Sequence, residues 1–190
     1  MNARSYLADF INIMDSLEVT DSSAQAVDYD EAVNDVIGLI NMQRSKGKKV
    51  ILVGNGGSAS IASHVAIDFW RNAGVRALSF NDASLLTCIS NDFGYANVFA
   101  RPVSCFADEG DILVAISSSG KSENILNAVK AAHDTKAQVV TFSGFSPANP
   151  LRKSGEYNFY VASESYGYVE VAHQLILHTI VDLMMPPGTI

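Results

Sequence analysis

Apolar side chains recur along this chain with two different periods. Up to residue 47 they return every three or four positions, first at Tyr6, Leu7, Phe10, Ile11, Met14 and Leu17, then at Ala32, Val33, Val36, Ile37 and Ile40. Each stripe predicts an amphipathic helix, over residues 3–17 and from 29 to about 46, with Asp21, Ser22 and Ser23 interrupting between them and Gly47 as the stop. From residue 48 the pattern changes. Val50, Ile51, Leu52 and Val53 form an unbroken β-branched and aliphatic run, as expected of a strand buried on both faces. Residues 77–80, 111–116, 138–142 and 157–161 read as further strands. Helical segments are expected at 84–89, about 123–134 and about 167–184, the last ended by Pro186, Pro187 and Gly188. Residues 91–95 read as a polar loop, and 147–153 as a connection with one helical turn. Strands alternating with helices predict an α/β fold, a three-layer αβα sandwich with a mostly parallel, five-stranded, flavodoxin-like sheet. The 190 residues make one domain, with residues 1–47 as a helical pair suited to oligomer assembly and 48–190 as the α/β core.

Charge narrows the choice of partner. With 20 acidic against 13 basic residues the net charge is −7, and the basic groups are scattered, so no nucleic-acid-binding surface is expected. Cys88 and Cys105 stand in apolar surroundings without CxxC spacing and read as reduced core thiols. No basic segment followed by an apolar leader opens the chain, and no apolar run has the length of a membrane span. The expectation is a soluble, cytoplasmic protein.

Two loops carry the chemistry. After the strand at 50–53 come Gly54, Asn55, Gly56 and Gly57, then Ser58 as the expected N-cap of a helix. A strand, a glycine turn and a helix start gather free N–H groups and the positive end of the helix dipole over one spot, which suits an anion. No lysine follows the glycines as a P-loop requires, and the third dinucleotide glycine is missing, so a small phosphorylated ligand fits better than a nucleotide. After the strand at 111–116 come Ser117, Ser118, Ser119, Gly120, Lys121 and Ser122, a dense cluster of hydroxyl donors at another helix start. In a parallel sheet both loops lie beyond strand carboxyl ends and should face one crevice. On the first of these helices His64 and Asp68 are four residues apart and share a face.

Gly54 to Ser58, Asn91 to Tyr95 with Val98 to Arg101, and Ile116 to Ser122 together resemble the sugar isomerase (SIS) family of phosphosugar-binding domains, and within it the phosphoheptose isomerases. The resemblance covers nearly the whole chain. It implies a cytoplasmic homotetramer converting sedoheptulose 7-phosphate into glycero-manno-heptose 7-phosphate, the first step towards activated heptose for surface polysaccharide such as lipopolysaccharide. It further implies that Ser117, Ser118, Ser119 and Ser122 cradle the phosphate, and that Asn55, Gly56, Gly57, Ser58, Asn91, Asp92 and Glu170 bind substrate. His64, Asp68, Glu170 and His178 match a site that holds Zn2+ in similar enzymes, with Asp68 as base and His178 as partnering acid. Three positions depart from the family pattern: Asp68 stands for a usual Glu, Glu170 for a Gln, and Asn72 for an Arg.

Imidazole and carboxylate are ligands that zinc takes where thiolates are absent. Glu170 and His178 are harder to combine, because eight helical residues span about 12 Å and roughly 80° of rotation. Either the helix starts close to Glu170, or the pair is shared between subunits; a site at a subunit interface is expected. An aldose–ketose interconversion needs a base on one side of the substrate and an acid near its oxygens, and a carboxylate with an imidazole supplies both. His173 reads as a core residue. Two other readings stay open: a non-catalytic phosphosugar-binding protein acting through protein partners, and an isomerase for another ketose phosphate.

Overall fold

A computed structural model describes residues 2–186, and in it the apolar runs become one mixed sheet with helices on both faces. The elements in order are α1 (Ala3–Asp15), β1 (Glu18–Asp21), β2 (Ala26–Val27), α2 (Tyr29–Ser45), β3 (Val50–Gly54), α3 (Gly57–Arg71), β4 (Ala77–Ser79), α4 (Ala83–Phe93), α5 (Ala100–Phe106), β5 (Ile112–Ser117), α6 (Glu123–Asp134), β6 (Gln138–Gly144), β7 (Tyr157–Val161) and α7 (Tyr166–Leu183). Single 3-10 turns cover Tyr95–Asn97 and Pro150–Lys153. Pro187 and Gly188, expected as part of the final stop, lie outside the described residues; α7 already ends at Leu183.

The five expected parallel strands lie in the order β4-β3-β5-β6-β7. The sheet has two more. Residues 18–27, where the sequence showed only an interruption between helices, fold into the short antiparallel pair β1 and β2, and β1 adds antiparallel to β7. The sheet is therefore seven-stranded.

Its two faces bury alternate residues of the same strands. Val50, Leu52, Ile112, Val114 and Ile116 face a core shared with α2, α3 and α7, whereas Ile51, Val53, Leu113 and Ala115 face one shared with α5 and α6, against which Leu85 and Leu86 of α4 also pack. This is why the strand runs are apolar at every position. The chain runs from β3 outward to β4, then returns to place β5 on the other side of β3. The reversal makes a topological switch point between β3 and β5, and Gly54 pairs with Ile116 there, so both strands end level.

Several local expectations are corrected. Gly56, not Ser58, caps α3; Ser58 is buried inside its first turn. The helix expected at 84–89 runs on to Phe93, because Asp82 caps it by accepting from the Leu85 amide and nothing breaks it before Gly94 at φ +79°. Asn91 and Asp92 therefore stand on a last helical turn and not in a loop. Cys88 and Cys105 are exposed free thiols: Leu85 and Leu86 on α4 and Val103 on α5 turn towards the core while the cysteines turn out. No helix among the described residues is long and apolar enough to cross a membrane.

Candidate active site

The two loops after β3 and β5 meet at the switch point. Asn55, Gly56, Gly57, Ser58, Ser117, Ser118, Ser119, Ser122 and Glu170 line a single cavity of about 250 Å3, together with Ile116 and Tyr166. Among the described residues no lysine or arginine lines it. Its capacity for an anion thus rests on hydroxyls, amides and two helix starts.

The serine loop is held open towards this cavity. Gly120 adopts φ +62°, and its amide donates to the Ser117 carbonyl at 2.9 Å, folding the loop back on itself. A Cβ at Gly120 would lie 2.0 Å from Asn149 Oδ1, so only glycine fits under the Asn149 amide. The Leu151 amide donates to the Gly120 carbonyl at 3.3 Å, fixing the loop from beneath. Ser122 occupies the N-cap of α6 but makes no side-chain cap bond; its hydroxyl instead accepts from Ser117 Oγ at 3.2 Å and stays at the cavity wall. Across the cavity, Glu170 lies against the start of α3, where a Cβ on Gly57 would come within 2.3 Å of Oε2. Glycine at 57 is what lets the carboxylate approach.

A second cluster lies along the same pair of helices. His64 Nε2 is 3.3 Å from Asp68 Oδ2, and His178 Nδ1 is 3.6 Å from that same oxygen. The two imidazoles meet edge to face at 5.3 Å. The Asp68 side chain is only 11% exposed and the His64 side chain 53%, so the carboxylate sits at the bottom of the cluster and the imidazole at its mouth. Asn72 Nδ2 reaches Asp68 Oδ1 at 3.5 Å, and Gln174 Nε2 lies 3.4 Å from His178 Nε2.

One ligand atom from each of His64, Asp68 and His178 lies within 4.8 Å of the others, a spacing and donor set that fit a single divalent ion. Glu170, the fourth residue expected there, is not in this group. It lies nearer the start of α7 and faces the serine loop. Glu170, Gln174 and His178 follow at four-residue steps along one side of α7, beside Gly57, His64 and Asp68 on α3. The separation of Glu170 from His178 thus reflects two ends of one seam. α7 begins four residues before Glu170, so a helix start at that residue does not account for it.

Asn91 and Asp92 do not line the serine cavity within one chain. Asn91 Nδ2 donates to Asp92 Oδ1 at 2.9 Å on the exposed end of α4. The residue that does reach inward from this region is Tyr95, whose hydroxyl donates to Asn55 Oδ1 at 2.9 Å. Asn124, Tyr166 and Gln174 were not expected from the sequence, and Tyr95, though it closes the Asn91 to Tyr95 motif, was given no role in the site. None belongs to a glycine or serine run, and the four-residue step from Glu170 through Gln174 to His178 was the one signal available. His173 is a core residue, fully buried, with Nε2 3.1 Å from the Ser143 carbonyl oxygen.

The chain is similar to known proteins over most of its length. A phosphoheptose isomerase of Clostridium acetobutylicum is 34% identical over 179 residues, 90% of each chain. One of Thiobacillus denitrificans is 38% identical over 146 residues, 73% of this chain and 74% of that one. Solved phosphoheptose isomerases of Neisseria gonorrhoeae and Francisella tularensis superpose with TM-scores of 0.80 and 0.83 at 27% and 26% identity, covering 95% and 97% of this chain and 95% and 98% of theirs. The SIS domain family matches residues 6–144, a span that holds both cavity loops and the His64–Asp68 pair. A switch-point crevice built from a glycine turn and a serine loop, found in a chain that matches this family over most of its length, makes the protein a member of the SIS domain family.

Proposed function

We propose that this protein is a phosphoheptose isomerase. It converts sedoheptulose 7-phosphate into D-glycero-D-manno-heptose 7-phosphate in the cytoplasm, as a homotetramer, at the head of a route to activated heptose for surface polysaccharide. What carries the reading is the α3–α7 seam, with a serine cradle at one end and an imidazole–carboxylate cluster at the other. The eight-residue step from Glu170 to His178 puts these ends about 12 Å apart along the helix. In an extended seven-carbon sugar, carbon–carbon bonds of about 1.5 Å and the phosphate ester give roughly 10 Å from phosphorus to the carbons being interconverted. With the phosphate on the serine loop, C1 and C2 reach Asp68 and His178.

The Asp68 carboxylate takes a proton from C1, and the C–H electrons form the C1–C2 double bond of an enediol while the C2 oxygen gains a proton from His178. Return of the first proton to C2, with loss of the O1 proton to His178, yields the aldose, so no external oxidant or reductant is consumed. His64, Asp68 and His178 would hold one Zn2+, with Glu170 in reach of the substrate between cradle and cluster. Such an ion supplies Lewis-acid polarisation of sugar oxygens.

The test is to incubate the purified protein with sedoheptulose 7-phosphate, with and without added zinc, and follow aldose formation by NMR. Turnover is expected in the wild type, with losses of roughly 10²–10⁴-fold in Asp68→Asn and His178→Ala. Absence of aldose with any divalent metal would overturn the assignment and leave a phosphosugar-binding protein.

A further inference from the structure

Asn55, an expected binding residue on the wall of the serine cavity, is bonded to two side chains outside the expected site, Asn124 and Tyr95. Asn55 follows β3 and Asn124 stands in the first turn of α6, just after the serine loop, so the two come from the two different sides of the crevice. Their amides are paired reciprocally: Asn55 Nδ2 donates to Asn124 Oδ1 at 2.9 Å, and Asn124 Nδ2 donates to Asn55 Oδ1 at 2.8 Å. Tyr95 Oη donates to the same Asn55 oxygen at 2.9 Å. Asn124 is only 3% exposed, so its amide depends on this pairing for its hydrogen bonds.

An asparagine amide offers two N–H donors and an oxygen with two lone pairs. On Asn55 the oxygen is filled by Asn124 and Tyr95, and one N–H is given to Asn124. What remains is one N–H on a residue that lines the cavity. With no lysine or arginine among the described residues on that wall, each fixed donor counts towards holding a ligand oxygen.

We infer that Asn124 and Tyr95 are positioning residues that lock Asn55 as a hydrogen-bond donor, so that the crevice reads an acceptor oxygen of the sugar phosphate at this point. The inference rests on the phosphosugar reading of the cavity, though not on its catalysis. The network also ties the β3 loop to α6, so that the glycine turn and the serine loop keep their spacing when the ligand is absent. Turning both amides over would instead present a carbonyl oxygen to the ligand, an arrangement that selects a donor.

The experiment measures Kd for sedoheptulose 7-phosphate by calorimetry, KM and kcat by turnover, and Tm, on the full-length protein and on Tyr95→Phe, Asn124→Ser and Asn55→Asp. Tyr95→Phe keeps the ring and removes one hydroxyl; it is expected to raise Kd and KM about fivefold, the worth of one hydrogen bond, with kcat within about twofold and Tm unchanged. Asn124→Ser is expected to weaken binding further and lower Tm, and Asn55→Asp, which has no N–H to give, to weaken it most. Unchanged affinity in Tyr95→Phe, or a fall in Tm without a change in affinity in Asn124→Ser, would make the network purely structural and overturn the inference. Wild-type affinity in Asn55→Asp would show that the crevice reads a donor and overturn it likewise. Were the wild type to bind the heptose phosphate without turning it over, the isomerase reading would fall, while the ratio of Kd values between wild type and Tyr95→Phe would still decide the role of the network.

Discussion

Asp68 carries a carboxylate on one methylene, yet a single one of its oxygens approaches both His64 and His178, at 3.3 and 3.6 Å. The shortened side chain therefore still closes the cluster, because both imidazoles lean over it. The pairing of His64 with Asp68 was readable from a four-residue spacing alone. The place of His178 was not, since it depends on which side of α7 packs against α3. His173 lies one step round the same helix and meets a different fate. It is fully buried against Ser143 and the Phe142 ring, with Nδ1 unpartnered, and burial lowers its pKa from the usual 6.5 to about 4, only partly opposed by the Ser143 carbonyl. The unfolded chain takes up a proton below about pH 6.5, whereas the folded chain does so only near pH 4. The neutral ring's contribution is whole above the higher value and drains away as pH falls towards the lower one, about 3 kcal/mol in all. Urea unfolding of the wild type and His173→Gln between about pH 7 and pH 4 should show the wild type losing that much more stability. Parallel curves would mean that the ring accepts its proton in place.

Both cavity loops were legible as runs of small residues after buried strands. Their fine structure was not. Ser58 is a better N-cap residue than Gly56, yet Gly56 caps α3, at φ 55° and ψ −120°. The turn demands a conformation that serine adopts poorly, and this outweighs the capping bond. The length of α4 was missed for a related reason: Asn91 and Asp92 favour turns in isolation, but the Asp82 cap and the Leu85 and Leu86 contacts carry the helix past them. The serine loop offers a direct test of the argument from Gly120. Gly120→Ala places an alanine at φ +62° and pushes Asn149, so a destabilisation of about 1–3 kcal/mol from the backbone alone is expected, with phosphate affinity reduced as the loop is displaced. Gly38→Ala is the control. It lies within α2, nothing comes within 4 Å of the added Cβ, and it should stabilise by up to about 1 kcal/mol with affinity unchanged. Equal effects of the two substitutions, read by thermal unfolding and phosphate titration, would remove the special role of the loop glycine.

The layered architecture followed from alternating periods, whereas the hairpin at 18–27 did not, because strands of four and two residues carry too few positions to show a period. Its presence bears on how the assembly is probed. Removing residues 1–28 would strip β1 from β7 together with α1, so loss of the oligomer would not isolate the helix. Point substitutions do. α1 buries none of its residues fully: Phe10, Ile13 and Met14 pack on the core, Tyr6 stacks on Tyr168 at 4.4 Å, and Leu7 and Ile11 stay 61% and 59% exposed. On the same side of the sheet, α3 leaves Ile67 and Trp70 exposed and α7 leaves Val171 and Leu175 exposed. Large apolar side chains gathered on three neighbouring helices suit the proposed tetramer interface, and Ile67 and Trp70 stand on α3, the helix that also carries His64 and Asp68 of the proposed catalytic cluster. Leu7→Lys with Ile11→Lys, and separately Trp70→Lys, are expected to lower the mass seen by light scattering. Only Trp70→Lys should also cut turnover at matched protein concentration, since it disturbs the helix that carries His64 and Asp68. An unchanged mass in both would place the interface elsewhere, and dissociation with full activity in Trp70→Lys would show that one chain completes the site alone.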